Sequence, residues 1–180
     1  GLMESLSLEK FKLYKALEND PKAFAEIYEL VKAYPHDVRY LVLLGDLYMD
    51  AERKEEAWQA YQRATELEPD NGYLLVSKAN YYNLTGNREG AKKQINEALR
   101  NEKIDVDTKV KILTTYLSLL IQRKEDAAQA DGLFDMLIDR HPQEEALHKL
   151  YADFLLSRQE FGKAREQLEI AVDLAPTQAD

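Results

Sequence analysis

Apolar residues along this chain recur at offsets of three, four and seven. Leu41, Leu44 and Tyr48 form one such set, and Ala57, Tyr61 and Ala64 another. The positions between them are charged or polar, which is the pattern of a helix with one buried face. The periodicity breaks at short polar runs: Glu18-Asn19-Asp20-Pro21, Asp50-Ala51-Glu52-Arg53 and Thr85-Gly86-Asn87-Arg88. Pro21 suits the first turn of a following helix, where its missing N–H costs nothing. Gly86 suits the left-handed residue that ends a helix. A proline later in the unit, as at Pro35, Pro69, Pro142 and Pro176, closes the second helix, because proline cannot extend it. The pattern predicts a unit of helix, short turn, helix and stop, repeated along the chain.

The repeat length can be read from two residue types independently. Pro35 and Pro69 are 34 positions apart, as are Pro142 and Pro176, and the gap between the pairs is twice 34 plus five. Ala23, Ala57 and Ala91 follow at steps of 34; Ala130 comes 39 later and Ala164 another 34. One period with one insertion of five explains both series. Repeats then start at Glu4, Val38, Gly72, Lys111 and Glu145, with Val106 to Val110 inserted. They cover 4–37, 38–71, 72–105, 111–144 and 145–178, so the whole of 1–180 is expected to be one domain. Small residues at repeat position 8 (Gly45, Ala79, Ser118, Ala152) would let two helices approach closely. Position 24 is always large and apolar: Ile27, Tyr61, Ile95, Phe134 and Leu168.

The second repeat reads Leu41-x2-Leu44-Gly45-x2-Tyr48, then Ala57-x3-Tyr61 and Pro69. This resembles the tetratricopeptide repeat almost column for column, with Leu41 in place of the usual Trp and Tyr61 in place of Phe. Other repeats depart further. Lys103 stands where the third repeat should have its proline. Ile121 replaces the aromatic residue at position 11 of the fourth, and Gly132 lies inside its second helix. Ser7, Lys10 and Phe11 occupy the Leu, Leu and Gly slots of the first. The resemblance implies an all-α fold, a right-handed α-α superhelix of about five helix-turn-helix repeats. It also implies a non-catalytic scaffold that holds a peptide or helix of another protein in a concave groove lined by the first helix of each repeat. Mapped onto this chain, the central groove positions are Arg39, Val42, Asp46, Met49, Tyr73, Val76, Asn80 and Asn83. Val42, Met49, Tyr73 and Val76 would give it an apolar centre, and the other four a hydrogen-bonding rim. The family's carboxylate clamp for chaperone tails needs cations at fixed slots. Here those slots read Val42, Asp46, Ser77, Ile112 and Tyr116, so that ligand is not expected.

Charge and chemistry narrow the reading. With 24 Lys and Arg against 33 Asp and Glu, the net charge is −9. Nucleic-acid binding rests on positive charge and is not expected. The absence of cysteine removes thiol catalysis and Cys-based zinc sites. No stretch is apolar enough for a membrane span. His36, His141 and His148 lack ligand spacing, and His148 fills a slot where the family packs a large side chain. No HExxH, GxGxxG, GxxxxGK[ST] or GxSxG occurs, so no metal, no cofactor and no enzyme activity is expected.

The ends add an alternative. The fifth repeat's second helix carries Phe161, Leu168, Ile170, Val172 and Leu174, more apolar residues than one stripe can bury. Some of that surface should be open, for the remainder of a longer chain or for self-association through the uncapped C-terminal repeat. Gly1 in place of Met points to a cloned or processed start, hence a fragment; a removed export signal would keep the bacterial periplasm open beside the cytoplasm. In the groove reading, Val42→Glu combined with Tyr73→Glu should abolish partner binding with little loss of stability, as both side chains should face solvent.

Overall fold

Each polar break in the sequence is a turn, and each amphipathic stretch between breaks is a helix. The computed structural model describes residues 1–125 and 128–175. Ten helices form there: α1 (Leu2–Ala16), α2 (Asp20–Ala33), α3 (Val38–Asp50), α4 (Lys54–Leu67), α5 (Gly72–Leu84), α6 (Arg88–Arg100), α7 (Val106–Gln122), α8 (Ala128–Arg140), α9 (Glu145–Ser157) and α10 (Phe161–Leu174). There are no strands among the described residues. Odd-numbered helices are the first helices of the repeats and even-numbered ones the second. Pro176, the last of the periodic prolines, lies outside the described residues.

Local chemistry fixes the helix starts. Pro21 sits in the first turn of α2, and the Asn19 side chain accepts a hydrogen bond from the Lys22 amide at 3.3 Å. Asp37 caps α3, Asn71 caps α5 and Asp105 caps α7 through side-chain oxygens. The turns inside repeats share one device: a left-handed residue two positions after the end of the first helix. It is Glu18, Glu52, Gly86, Lys124 and Gln159 in turn, with φ between 52° and 81°. Only the third is glycine, so the other four turns carry a modest steric cost that the packing on either side must offset.

Four of the five inserted residues lengthen a helix. Asp105 stays on the 34-residue spacing of Asp37 and Asn71, and α7 runs 17 residues where α3 and α5 run 13. Four of the five residues thus add about one turn, roughly 6 Å, to the start of α7. The fifth lies between Lys124 and Ala130.

The described residues fall into two compact units, 1–98 and the described part of 99–180. In the first, α2 packs on α3, α4 on α5, and the successive first helices α3 and α5 pack on each other. One core cluster joins Phe11, Ile27 and Leu30 to Tyr40, Leu44 and Leu47; a second joins Leu41, Ala57, Tyr61 and Ala64 to Leu74. In the second unit α9 packs on α7, α8 and α10. The Phe134 ring stacks on Tyr151 with centroids 4.3 Å apart and leans on Phe154 at 5.5 Å. His148 is buried, with ring nitrogens 2.8 Å from Gln167 Oε1 and 2.9 Å from the Pro142 carbonyl oxygen. It ties α9 to α10 and to the preceding turn, a structural task for the residue that fills the large-side-chain slot.

The helix pair of the second repeat closes at Gly45. A Cβ built there would lie 2.3 Å from Tyr61 Cε1 and 2.7 Å from Cδ1. The Tyr61 ring is itself buried and cannot withdraw without opening the second core cluster. Gly45→Ala is therefore expected to cost about 1–3 kcal/mol despite its gain in helix propensity, read as a lower urea midpoint with unchanged slope.

Candidate functional site

The candidate surface lies on α3 and α5, within the first unit. The Asp37 side chain accepts from the Arg39 amide at 3.0 Å, and Asn71 accepts from the Tyr73 and Leu74 amides at 3.1 and 3.3 Å. These caps set the helix starts, so Arg39 and Tyr73 occupy equivalent places one repeat apart.

Arg39 is held in place before any ligand arrives. Its Nε donates to Asp37 Oδ1 at 3.0 Å and its Nη2 to Asp37 Oδ2 at 2.5 Å, while Nη2 lies 3.6 Å from Glu4 Oε1. The guanidinium hydrogen bond holds the Asp37 carboxyl below its usual range. Tyr40, beside Arg39, donates to Glu4, and burial followed by that bond pushes its phenol up to about 12.

Two of the expected groove residues are core. Val42 is 3% exposed, and Met49 is buried too. Both belong to the cluster with Ala57, Tyr61 and Leu74. The cause is the packing of α5 on α3: apolar side chains at these places gain more by extending that contact than by lining a groove. The expectation that Val42 faces solvent is thereby corrected.

Asp46 occupies a half-buried place between the core and the surface. Its Oδ1 accepts from the Tyr61 hydroxyl at 2.7 Å, and Ser77 of α5 hydrogen-bonds it as well. Desolvation outweighs these bonds and raises its carboxyl above the usual carboxylate range. Tyr61 is raised in turn, first by its own burial and then by the Asp46 charge, so it stays a neutral donor.

The open stripe runs along α5. Tyr73 is 70% exposed, Val76 and Leu84 are exposed, and so is Asn80. Their spacing of three, four and four puts them on one face. Asn83 is half-buried at its margin. On α3, Arg39 and Asp50 are exposed and Leu43 and Asp46 half-buried; Asp50 is ion-paired with Lys15 of α1. Of the expected residues, Arg39, Tyr73, Val76 and Asn80 are thus exposed and Asp46 half-buried on the packed helices α3 and α5, while Val42 and Met49 are core. The Ser77 contact to Asp46 was missed. Its signal was positional, since Ser77 stands one repeat after Leu43, and both are half-buried.

Among the described residues no group of three or more His, Asp or Glu side chains is placed to hold a metal ion. No helix of the described residues is long and apolar enough to cross a membrane. The surface offers an aromatic ring, aliphatic side chains, an amide and paired charges, which suits non-covalent recognition of a polypeptide.

A tetratricopeptide repeat profile matches residues 38–71, and a second of the same description matches 120–179, together just over half of the chain. The chain belongs to the tetratricopeptide repeat family. Proteins of this family typically mediate protein–protein interaction or assembly, and they are generally not catalytic themselves. Among characterised proteins, the human protein O-mannosyl-transferase TMTC1 is similar: 28% identical over 174 residues, covering 93% of this chain and 19% of that protein. The chain thus spans about a fifth of that relative's length. Among solved structures, PilF of Pseudomonas aeruginosa has a TM-score of 0.66 at 15% identity, covering 98% of this chain and 78% of its own. PilW, a type IV pilus biogenesis factor, has a TM-score of 0.63 at 13% identity, covering 97% and 78%. At these identities the likeness is one of fold.

Two predictions follow the geometry. Val42→Glu alone should destabilise the chain by about 3 kcal/mol or more by burying an unpaired charge, while Tyr73→Glu should leave the denaturation midpoint unchanged. For Asp46 the sign is set by its raised carboxyl: ionisation in the folded state opposes folding, and that cost fades as pH falls toward the unfolded value near 3.8. Asp46→Asn, which still accepts from Tyr61, should raise the melting temperature at pH 7, with the gain shrinking toward pH 4. Asp46→Leu should instead lose about 1–3 kcal/mol at both pH values, by leaving the Tyr61 hydroxyl unpaired.

Proposed function

We propose that this chain is a non-catalytic interaction module that captures a segment of another protein on the α3–α5 face. The observation that carries this reading is the α5 stripe. Tyr73, Val76 and Leu84 expose apolar surface in a line, with the Asn80 amide between them. A large aromatic ring held open on a rigid helix anchors a partner at small entropic cost, because few rotatable bonds must be fixed. Asn80 can donate and accept, so it can pair with a backbone amide of an extended segment or the polar face of a helix. Arg39 and Asp46 flank the stripe as prepositioned polar groups, each already hydrogen-bonded to its own neighbours. Recognition then needs little rearrangement, and specificity comes from where the rim groups stand.

A second reading has its own support. Phe161, Leu168, Ile170 and Val172 of α10 are exposed. In this reading the chain is an assembly module that packs through α10 on further repeats of a longer protein or on a second copy. The two readings concern different surfaces and can both hold.

Partner capture from source extract, wild type beside Tyr73→Glu/Val76→Glu, tests the first. A captured protein should then be mapped by overlapping peptides and its affinity measured against both forms. Loss of binding by about 30-fold or more in the double variant is expected, the size of a hot-spot residue. Equal affinity of both forms would remove the α5 stripe from the binding surface.

A further inference from the structure

Two charged side chains flank the α5 stripe, and only one of them has its charge matched. The Arg39 guanidinium is held by both oxygens of the Asp37 carboxylate and lies 3.6 Å from Glu4. It has little charge left to offer a ligand. Asp46 is the opposite case. Its hydrogen bonds come from two neutral hydroxyls, Tyr61 at 2.7 Å and Ser77. Asp50, one turn on, adds a like charge, and Lys15, the cation that acts on Asp46, is already ion-paired with Asp50. Among the described residues no ion pair reaches Asp46 itself. A carboxylate can accept about four hydrogen bonds, so two donors leave part of it free.

Helix geometry sets this carboxylate against the stripe. Ser77 stands one turn after Tyr73 and one turn before Asn80, next to Val76. The carboxylate that Ser77 bonds therefore lies alongside the stretch from Tyr73 to Asn80. Helix α5 brings no compensating charge to this side. Its one charged residue, Lys78, lies over the Trp58 ring and reaches Thr65 Oγ1 at 3.4 Å, both on α4. The wider surroundings have the same sign as Asp46: residues 38–71 carry eight acidic and four basic side chains. Burial has also removed part of the water that would stabilise the Asp46 charge, which is why its carboxyl is raised. A cation brought to that place offsets the lost hydration, and its attraction is screened less there than on an open surface.

We infer that the segment captured by the α5 stripe carries a basic side chain, best an arginine, that pairs with Asp46 while a neighbouring apolar residue covers Tyr73 and Val76. The inference rests on the stripe reading above and names the chemistry of its partner. An arginine fork suits a carboxylate whose remaining lone pairs are free, and its planar face can also rest against an open aromatic ring. The apolar contact supplies affinity, and the ion pair supplies register and selectivity. An acidic segment with the same apolar pattern meets two like charges, Asp46 and Asp50, and is rejected.

The probe is a displayed library of random peptides, selected in parallel on the full chain, on Asp46→Asn and on Tyr73→Glu/Val76→Glu. Wild type should enrich peptides with Arg or Lys at a fixed distance from an aromatic or aliphatic residue, and the stripe variant should not retain them. Enriched sequences are then synthesised and titrated in a double-mutant cycle. Asp46→Asn should weaken binding about tenfold, and replacing the basic residue of the peptide by Gln should do the same. The two changes together should weaken it little further, because they remove one contact. Asp46→Asn keeps an acceptor for Tyr61, so folding should be intact by circular dichroism. Peptides that need Tyr73 and Val76 but lack a basic residue, or bind Asp46→Asn as tightly as wild type, would overturn the basic partner and leave the stripe reading standing. Two losses that simply multiply would do likewise, since they would place the basic residue elsewhere. Peptides that bind the Tyr73→Glu/Val76→Glu form equally well, or no enriched peptide at all, would overturn the stripe as a capture surface and this inference with it.

Discussion

No helix pair in this chain can bury its own apolar face; the next pair must do it. The contact that accomplishes this places one large side chain from the middle of a second helix against the first helix that follows. Tyr61 lies under Leu74 and Tyr81 in the first unit, and Phe134 lies under Tyr151 and Phe154 in the second. The small residues follow from this. Gly45 is a glycine because the Tyr61 ring occupies the volume where a Cβ would stand. The alanines at 23, 57, 91, 130 and 164 are all buried, with no room left for a longer side chain. The repeat length is then the length of chain needed to return to the same contact.

That dependence explains which parts of the molecule were readable in the sequence. Alanine and proline positions report steric demands that recur once per repeat, so helix number, helix order and turn positions could be placed from them. Groove membership was harder. Val42 and Met49 have the spacing of groove residues and the chemistry of core residues, and the alignment of a single repeat cannot distinguish the two. The outcome is decided by a neighbour, α5, whose approach to α3 buries them. Tyr73 and Val76 have the same spacing one repeat later and stay open. Leu84, also exposed, stands outside the eight central positions of the expected groove; its counterpart in the second repeat is the charged Asp50.

Polar groups show the same tension between the two roles. Asp46 is drawn inward by the Tyr61 hydroxyl and by Ser77, yet lies among residues that face the candidate partner. It links the position of the α5 stripe to the core beneath it, since moving α5 would disturb the Ser77 bond. His148 acts on the other unit in a comparable way, tying helix to helix and helix to turn through its two ring nitrogens. Neither residue needs a reaction to account for its placement.

The lengthened α7 shows how such an array absorbs change. An added segment rotates every residue beyond it by about 100° per residue, so one or two extra residues in a helix would swing Leu113, Leu117 and Leu120 out of the core. Four residues turn the face through little more than a full circle and leave those leucines directed inward, where they are buried. The fifth lies outside that helix, between Lys124 and Ala130 in the sequence. Length variation in a protein of this kind is therefore quantised. Insertions and deletions survive inside a helix when they come in whole turns, and the remainder has to be passed on to a loop.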